Sequence, residues 1–168
     1  NYKKDLDFVI FRENTEDLYA GVEFATVPEE LKNCLQNISP PFSKFSHLQN
    51  DEMAISCKIN TVTGCERIIR AAFEFAEKFG RKKVTVVHKA NVVRATDGLF
   101  LQTGKKVAQD FPDIQFDEAN IDALCMWLLK NPQNYDVLVA PNLYGDIISD
   151  LCAQMVGGLG FGCSGNIG

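Results

Sequence analysis

No apolar run in the chain approaches the ~18 residues of a membrane-spanning helix, which leaves a membrane-embedded function without support. Basic residues are also in short supply. Seventeen Lys and Arg face 22 Asp and Glu, a net charge of −5, which argues against a nucleic-acid-binding surface and for an ordinary soluble protein. The six cysteines (Cys34, Cys57, Cys65, Cys125, Cys152 and Cys163) show no CxxC or CxxH spacing. Most sit in apolar runs, where a thiol acts as a small hydrophobe, so a reduced, intracellular protein is expected and the Asn37-Ile38-Ser39 sequon is a chance match. GxGxxG and GxxxxGKS/T are both missing. GLGFGCSG is glycine-rich but follows a helix pattern, so it is not read as a phosphate loop. There is no internal repeat and no low-complexity tract.

What is present suffices for a real core: 168 residues, 46% of them hydrophobic and 10% aromatic. DFVIF (7–11) reads as a buried strand followed by the polar RENTED segment, and MAISCKI (53–59) alternates like a strand. Between them, residues 25–52 are rich in Pro, Asn, Ser and Gln and read as the least regular part, an excursion from the main fold. Residues 62–79 place Val62, Cys65, Ile69, Ala72, Ala76 and Phe79 on one helical stripe, with Thr63 and Glu66 as a capping box and Gly80 as the stop. Then follow a strand at 82–89, a helix from Thr96 or Asp97 to Phe111, a strand at 114–119 and a helix from Asp122 to Lys130. A strand at 135–140 and a helix at 142–156 ended by Gly157-Gly158 complete the series. Alternating strands and helices predict βαβ units and a largely parallel α/β sheet.

Ligands in such sheets gather outside the carboxyl ends of the strands. Three of those ends carry polar groups: Arg12, Glu13 and Asn14 after DFVIF; His88, Lys89 and Asn91 after VTVV; Asn142 and Asp146 after DVLVA. Asp146 and Asp150 lie four residues apart in NLYGDIISDL, on one helical face, where like charges repel by a few tenths of a kcal/mol. A hard divalent ion, Mg²⁺ or Mn²⁺, would turn that repulsion into attraction. The bland alternative is a solvated or salt-bridged pair, with Asp146 in the first helical turn favoured by the macrodipole. Lys89 is either a snorkelling strand-end lysine or, in a cleft beside a metal and Arg12, a group that exchanges protons near neutrality. Arg12 either pairs with Glu13, Glu16 or Asp17 or clamps a substrate carboxylate. Tyr19, in EDLYAG, packs in a core, sits on an exposed turn, or serves a site. His88 is read as structural.

FRENTEDLYAGVEF, VVHKANVVRATDGLF and NLYGDIISDLCAQMVGGLG together, in this order, closely resemble the isocitrate dehydrogenases among the β-decarboxylating dehydrogenases. The resemblance spans residues 7–168 apart from the variable part of 25–52. It implies an α/β, isocitrate/isopropylmalate dehydrogenase-like fold that is not a Rossmann fold, with this chain as the central small domain and residues 25–57 including a clasp that interlocks two chains. It also implies Arg12 on a substrate carboxylate, Tyr19 and Lys89 as catalytic proton-transfer groups, and Asn91 near the nicotinamide. Asp146, Asp150 and Asp122 become metal ligands; read alone, Asp122 is a helix cap. Lys89 and Asp122 would reach into the partner's site, so that active sites are shared across a homodimer.

The implied reaction is oxidative decarboxylation of isocitrate to 2-oxoglutarate, with Mg²⁺ or Mn²⁺ as Lewis acid and NAD or NADP as hydride acceptor. Lys89 assists removal of the hydroxyl proton and Tyr19 helps protonate the enol. Residue 1 leads almost at once into a strand and GNIG adds no closing element, so an excised piece is expected, lacking the N- and C-terminal parts of the parent's large domain and inactive alone. Homoisocitrate, 3-isopropylmalate or tartrate dehydrogenase, or a non-catalytic dimerisation or regulatory subunit, are the alternatives. Location is expected to be cytoplasmic, or the mitochondrial matrix in a eukaryote.

Overall fold

The computed structural model describes residues 6–158 and 162–167. In chain order it contains β1 (Val9–Arg12), β2 (Glu23–Phe24), α1 (Glu29–Ile38), β3 (Ile55–Ser56), α2 (Val62–Lys78), β4 (Lys83–His88) and α3 (Thr96–Val107). β5 (Gln115–Asn120), α4 (Ile121–Lys130), β6 (Val137–Ala140) and α5 (Asn142–Val156) follow. Four strands form one parallel sheet in the order β1-β6-β4-β5, and β2 pairs antiparallel with β3.

The β-branched runs in β4 and β6 are buried on both faces, as a central parallel strand requires. Side chains alternate along them. Val84, Val86, Val137 and Val139 meet α2 and α3 through Ile69, Phe73 and Phe100. Val87, Leu138 and Ala140 meet α4 and α5 through Leu124, Leu128, Ile148 and Cys152. The molecule is therefore a three-layer α/β/α arrangement with a separate core on each side of the sheet. All six cysteines are unpaired. Burial pushes the Cys65 and Cys152 thiols up to about 12, consistent with packing rather than reactivity. No helix among the described residues is long and apolar enough to cross a membrane.

Several local expectations need correcting. Residues 25–52 are not irregular: they contain α1 and a 3-10 stretch, Pro40–Phe45, and the strand expected at 53–59 shrinks to two residues paired with β2. Two acidic residues, Glu29 and Glu30, open α1, which accounts for a helix that buries no residue. The helix expected to run to Phe111 ends at Val107 and tightens into a 3-10 turn, Ala108–Asp110. The cap of α2 is Thr61, not Thr63: Thr61 Oγ1 accepts from Gly64 N at 3.0 Å. Glu16 in turn takes Thr61 N at 2.8 Å, so the capping carboxylate comes from the loop after β1 instead of from Glu66. Of the glycine-rich segment 158–165, residues 159–161 lie outside the described residues.

The position of the cap is testable by urea denaturation of the chain. Thr61→Ala is expected to cost about 1–2 kcal/mol, whereas Thr63→Ala, on the exposed side of the same turn, should stay within about 0.5 kcal/mol. Equal losses would move the cap back to Thr63.

Candidate active site

Because β1, β6, β4 and β5 are parallel, their carboxyl ends share one edge of the sheet. At the β1/β6 end, Arg12 is the last residue of β1, and α5 starts two residues after the end of β6. The guanidinium donates to Asn142 Oδ1 from Nε (3.1 Å) and Nη2 (2.9 Å) and to Asp146 Oδ1 from Nη1. Tyr19 follows β1 in a 3-10 turn, Leu18–Ala20, and its phenol donates to Asp146 Oδ2 at 2.6 Å. Its ring lies 5.2 Å from Arg12 Cζ. Gly145 permits this approach of helix to strand, since a Cβ there would fall 2.5 Å from Arg12 Cγ and 2.8 Å from Arg12 Cβ. Arg12 thus pairs across the sheet edge, and none of Glu13, Glu16 and Asp17 is its partner.

α5 begins at Asn142, so Asp146 is already past the first turn and no acidic residue occupies that turn. The macrodipole reading of Asp146 therefore loses its basis, because that effect fades within one turn. Asp150 is exposed on the next turn of the same helix.

At the neighbouring β4/β5 end, Lys89 follows β4 and its ammonium donates to Asp122 Oδ1 at 2.6 Å. That hydrogen bond holds the Asp122 carboxyl below its ordinary value. Asp122 lies in the first turn of α4, with Asn120 at the cap position, so it is not the cap itself. Asn91 is exposed in the loop beyond Lys89. His88 is buried, its Nδ1 accepts from Ala90 N at 3.0 Å, and desolvation lowers its pKa, which fits a structural neutral imidazole.

The predicted residues therefore fall into two groups on one edge: Arg12, Tyr19 and Asp146 with Asp150 close by in sequence, and Lys89 with Asp122. Among the described residues no group of three or more His, Cys, Asp or Glu side chains is placed to hold a metal ion. Asp146 and Asp150, one helical turn apart, offer hard oxygen donors of the kind Mg²⁺ or Mn²⁺ takes, and among the described residues no third such side chain is grouped with them.

Asn142 is part of this site and was legible only as a polar strand-end residue. Lys58, Asp17 and Asp97 lie beneath the same edge; sequence pattern reads Asp17 only as a possible Arg12 partner and Asp97 only as a helix start, and it does not single out Lys58. Asp17 and Asp97 are fully buried, and Asp17 adopts φ 72°, the one positive φ at a non-glycine residue among those described. The available signal was a lone charge, Lys58, inside the apolar AISCKI.

The donor role of Tyr19 has a measurable consequence. The hydrogen bond to Asp146 and its negative charge raise the phenol above its ordinary value. In an NMR titration Asp146→Asn is expected to shift the Tyr19 midpoint downward; no shift would show that the pair does not form in solution.

The sequence and the fold both have known relatives. The family model described as isocitrate/isopropylmalate dehydrogenase matches residues 1–168. A probable mitochondrial isocitrate dehydrogenase (NAD) subunit alpha of Drosophila melanogaster is 45% identical over 164 residues, 98% of this chain and 37% of the relative. A mitochondrial regulatory subunit of isocitrate dehydrogenase (NAD) from Dictyostelium discoideum is 43% identical over 163 residues, 97% of this chain and 39% of that protein. The crystal structure of isocitrate dehydrogenase from Methylococcus capsulatus superposes with a TM-score of 0.79 at 43% identity, covering 94% of this chain and 41% of that one. The chain thus spans about two fifths of the length of the relatives it matches.

Proposed function

The chain belongs to the isocitrate/isopropylmalate dehydrogenase family, and we propose on that premise that the protein containing it oxidatively decarboxylates isocitrate to 2-oxoglutarate with reduction of NAD. The observation that carries this reading is the convergence of Arg12, Tyr19 and Asp146 at the carboxyl ends of β1 and β6. NAD is favoured over NADP by the names of the relatives.

Each residue then has a task. Asp146 and Asp150 would hold Mg²⁺ or Mn²⁺, with Asp122 contributed by a partner chain. When bound, that ion would supply Lewis-acid polarisation of the substrate hydroxyl and its neighbouring carboxylate. Arg12, with Asn142 fixing the plane of its guanidinium, binds a substrate carboxylate through its fork of donors. Lys89 assists removal of the substrate hydroxyl proton, which requires its ammonium first to leave the 2.6 Å ion pair with Asp122 and release a proton to solvent. Tyr19 would help protonate the enol after decarboxylation, and Asn91 is assigned to nicotinamide binding.

The division into two groups supports a shared site, in which Lys89 and Asp122 of one chain complete the Arg12–Tyr19–Asp146 group of another. Residues 25–57, carrying α1 on a β2/β3 base, are the segment we assign as the clasp between chains. The companion chain is a second copy or a homologous subunit, since the relatives include both alpha and regulatory subunits. A regulatory role for this chain is the second reading, favoured by the Dictyostelium relative. In a eukaryote the relatives' names favour the mitochondrial matrix.

Mn²⁺-dependent reduction of NAD by the parent protein separates the two readings. Asp146→Asn and Asp150→Asn should each lower kcat/KM at least about a hundredfold. An active parent indifferent to both changes would exclude these metal ligands. The 168-residue chain by itself is expected to yield no NADH from isocitrate; turnover by a preparation free of host enzyme would contradict the need for the remaining three fifths of the family's length.

A further inference from the structure

Lys58 is a charged residue with only 13% of its side chain exposed, beyond the short β3 strand. Its Nζ lies 2.7 Å from Asp97 Oδ1 and 3.5 Å from Asp17 Oδ1, and the ring of Tyr144 covers it at 4.4 Å from the centroid. Both aspartates also bind backbone of the site, and Asp97 in addition takes a hydrogen bond from the Tyr144 phenol. Asp97 Oδ2 accepts the N–H of Lys89 at 2.6 Å. Asp17 Oδ2 accepts the N–H of Leu143, in the first turn of α5, at 3.1 Å, and Asp17 Oδ1 caps the turn carrying Tyr19 through Leu18 N at 2.8 Å. One ammonium therefore joins the peptide of Lys89, the turn of Tyr19 and the start of the helix that bears Asp146.

We propose that Lys58 is a positioning residue, whose ammonium, through Asp17 and Asp97, holds the Tyr19–Asp146 group and the Lys89 group of one chain at the spacing that lets each enter its own shared site. This rests on the isocitrate dehydrogenase reading of those groups. Lys58 meets the two carboxylates as a compact point charge at unequal distances, and the ring of Tyr144 limits the space beside it. An arginine would keep the charge but place a wide planar fork where one nitrogen now sits. Neutralisation of buried carboxylates needs only the positive charge, whereas spacing needs this shape and reach, so the two roles come apart on substitution.

The test uses the full-length parent in its native assembly, comparing Lys58→Met and Lys58→Arg with the unsubstituted protein by thermal unfolding, steady-state kinetics and amide hydrogen exchange. Lys58→Met is expected to lower kcat at least about tenfold and to accelerate exchange at the Lys89 and Leu143 amides. Lys58→Arg should recover most of the melting temperature while kcat stays at least about fivefold down. If Lys58→Met does not fold, Lys58→Arg decides the matter by the same criterion. The proposal is overturned by a folded variant of either kind with kcat within about twofold of the unsubstituted protein, or by arginine restoring melting temperature and kcat together. An unsubstituted parent that reduces no NAD with isocitrate defeats the functional reading itself, and with it any positioning role in that reaction. The exchange of the Lys89 amide needs no substrate, so it reports separately whether the tether exists.

Discussion

Parallel strands present their carboxyl ends at one edge of a sheet, and that constraint organises the candidate site of this chain. An antiparallel sheet would scatter the residues that follow its strands between two edges. Here Arg12, Lys89, Ile121 and Pro141 all emerge on the same side, so polar residues far apart in sequence are placed side by side. The strand order makes the four ends contiguous, since β6 pairs with both β1 and β4. Along that continuous edge the β1 and β6 ends bring Arg12 to Asn142 and Asp146, and the β4 and β5 ends bring Lys89 to Asp122.

The electrostatics at that edge are nearly closed on themselves. Arg12 and Tyr19 satisfy Asp146, Lys89 satisfies Asp122, and Lys58 serves the two fully buried aspartates. Breaking a buried pair by removing one partner typically costs about 3–5 kcal/mol, so the Lys58 cluster is a rigid part of the framework. The exposed Lys89–Asp122 pair is worth far less and can exchange partners readily. A firm interior beneath exchangeable outer contacts is the arrangement a site needs if its first ligands are to be replaced by substrate without the scaffold moving.

Sequence pattern reached the sheet and helices well because their signals are local. VTVV and DVLVA are β-branched runs, and the stripe through Cys65, Ile69, Ala72 and Ala76 is one helical face. It missed what depends on distant partners. Thr61 caps α2 with help from Glu16, and Lys58 looks like a misplaced charge until Asp17 and Asp97 are beside it. The bounds of α5 agree with the helix read at 142–156, and only the placing of Asp146 in its first turn fails, because Asn142 already opens the helix. The helix in 29–38 was hidden by flanking Pro and Ser residues that suggested loop. Arg12, Tyr19, Lys89, Asp122 and Asp146 were singled out partly by chemistry and mainly by resemblance to a family, since spacing alone left each with a credible surface role.

The pairing of β1 with β6 has a kinetic side. Among the described residues β1 lies at the edge of the sheet, and the register partner of Val9 is Val137, far away in sequence. Closing so long a loop costs entropy before any contact repays it, whereas β4 with α3 and β5 is built from contacts close in sequence. The order of assembly that this favours begins with the β4–α3–β5 unit and adds β1 late. Arg12 would then meet Asn142 and Asp146 among the last events of folding, and a nascent chain would carry a formed Lys89 group well before it possessed the other.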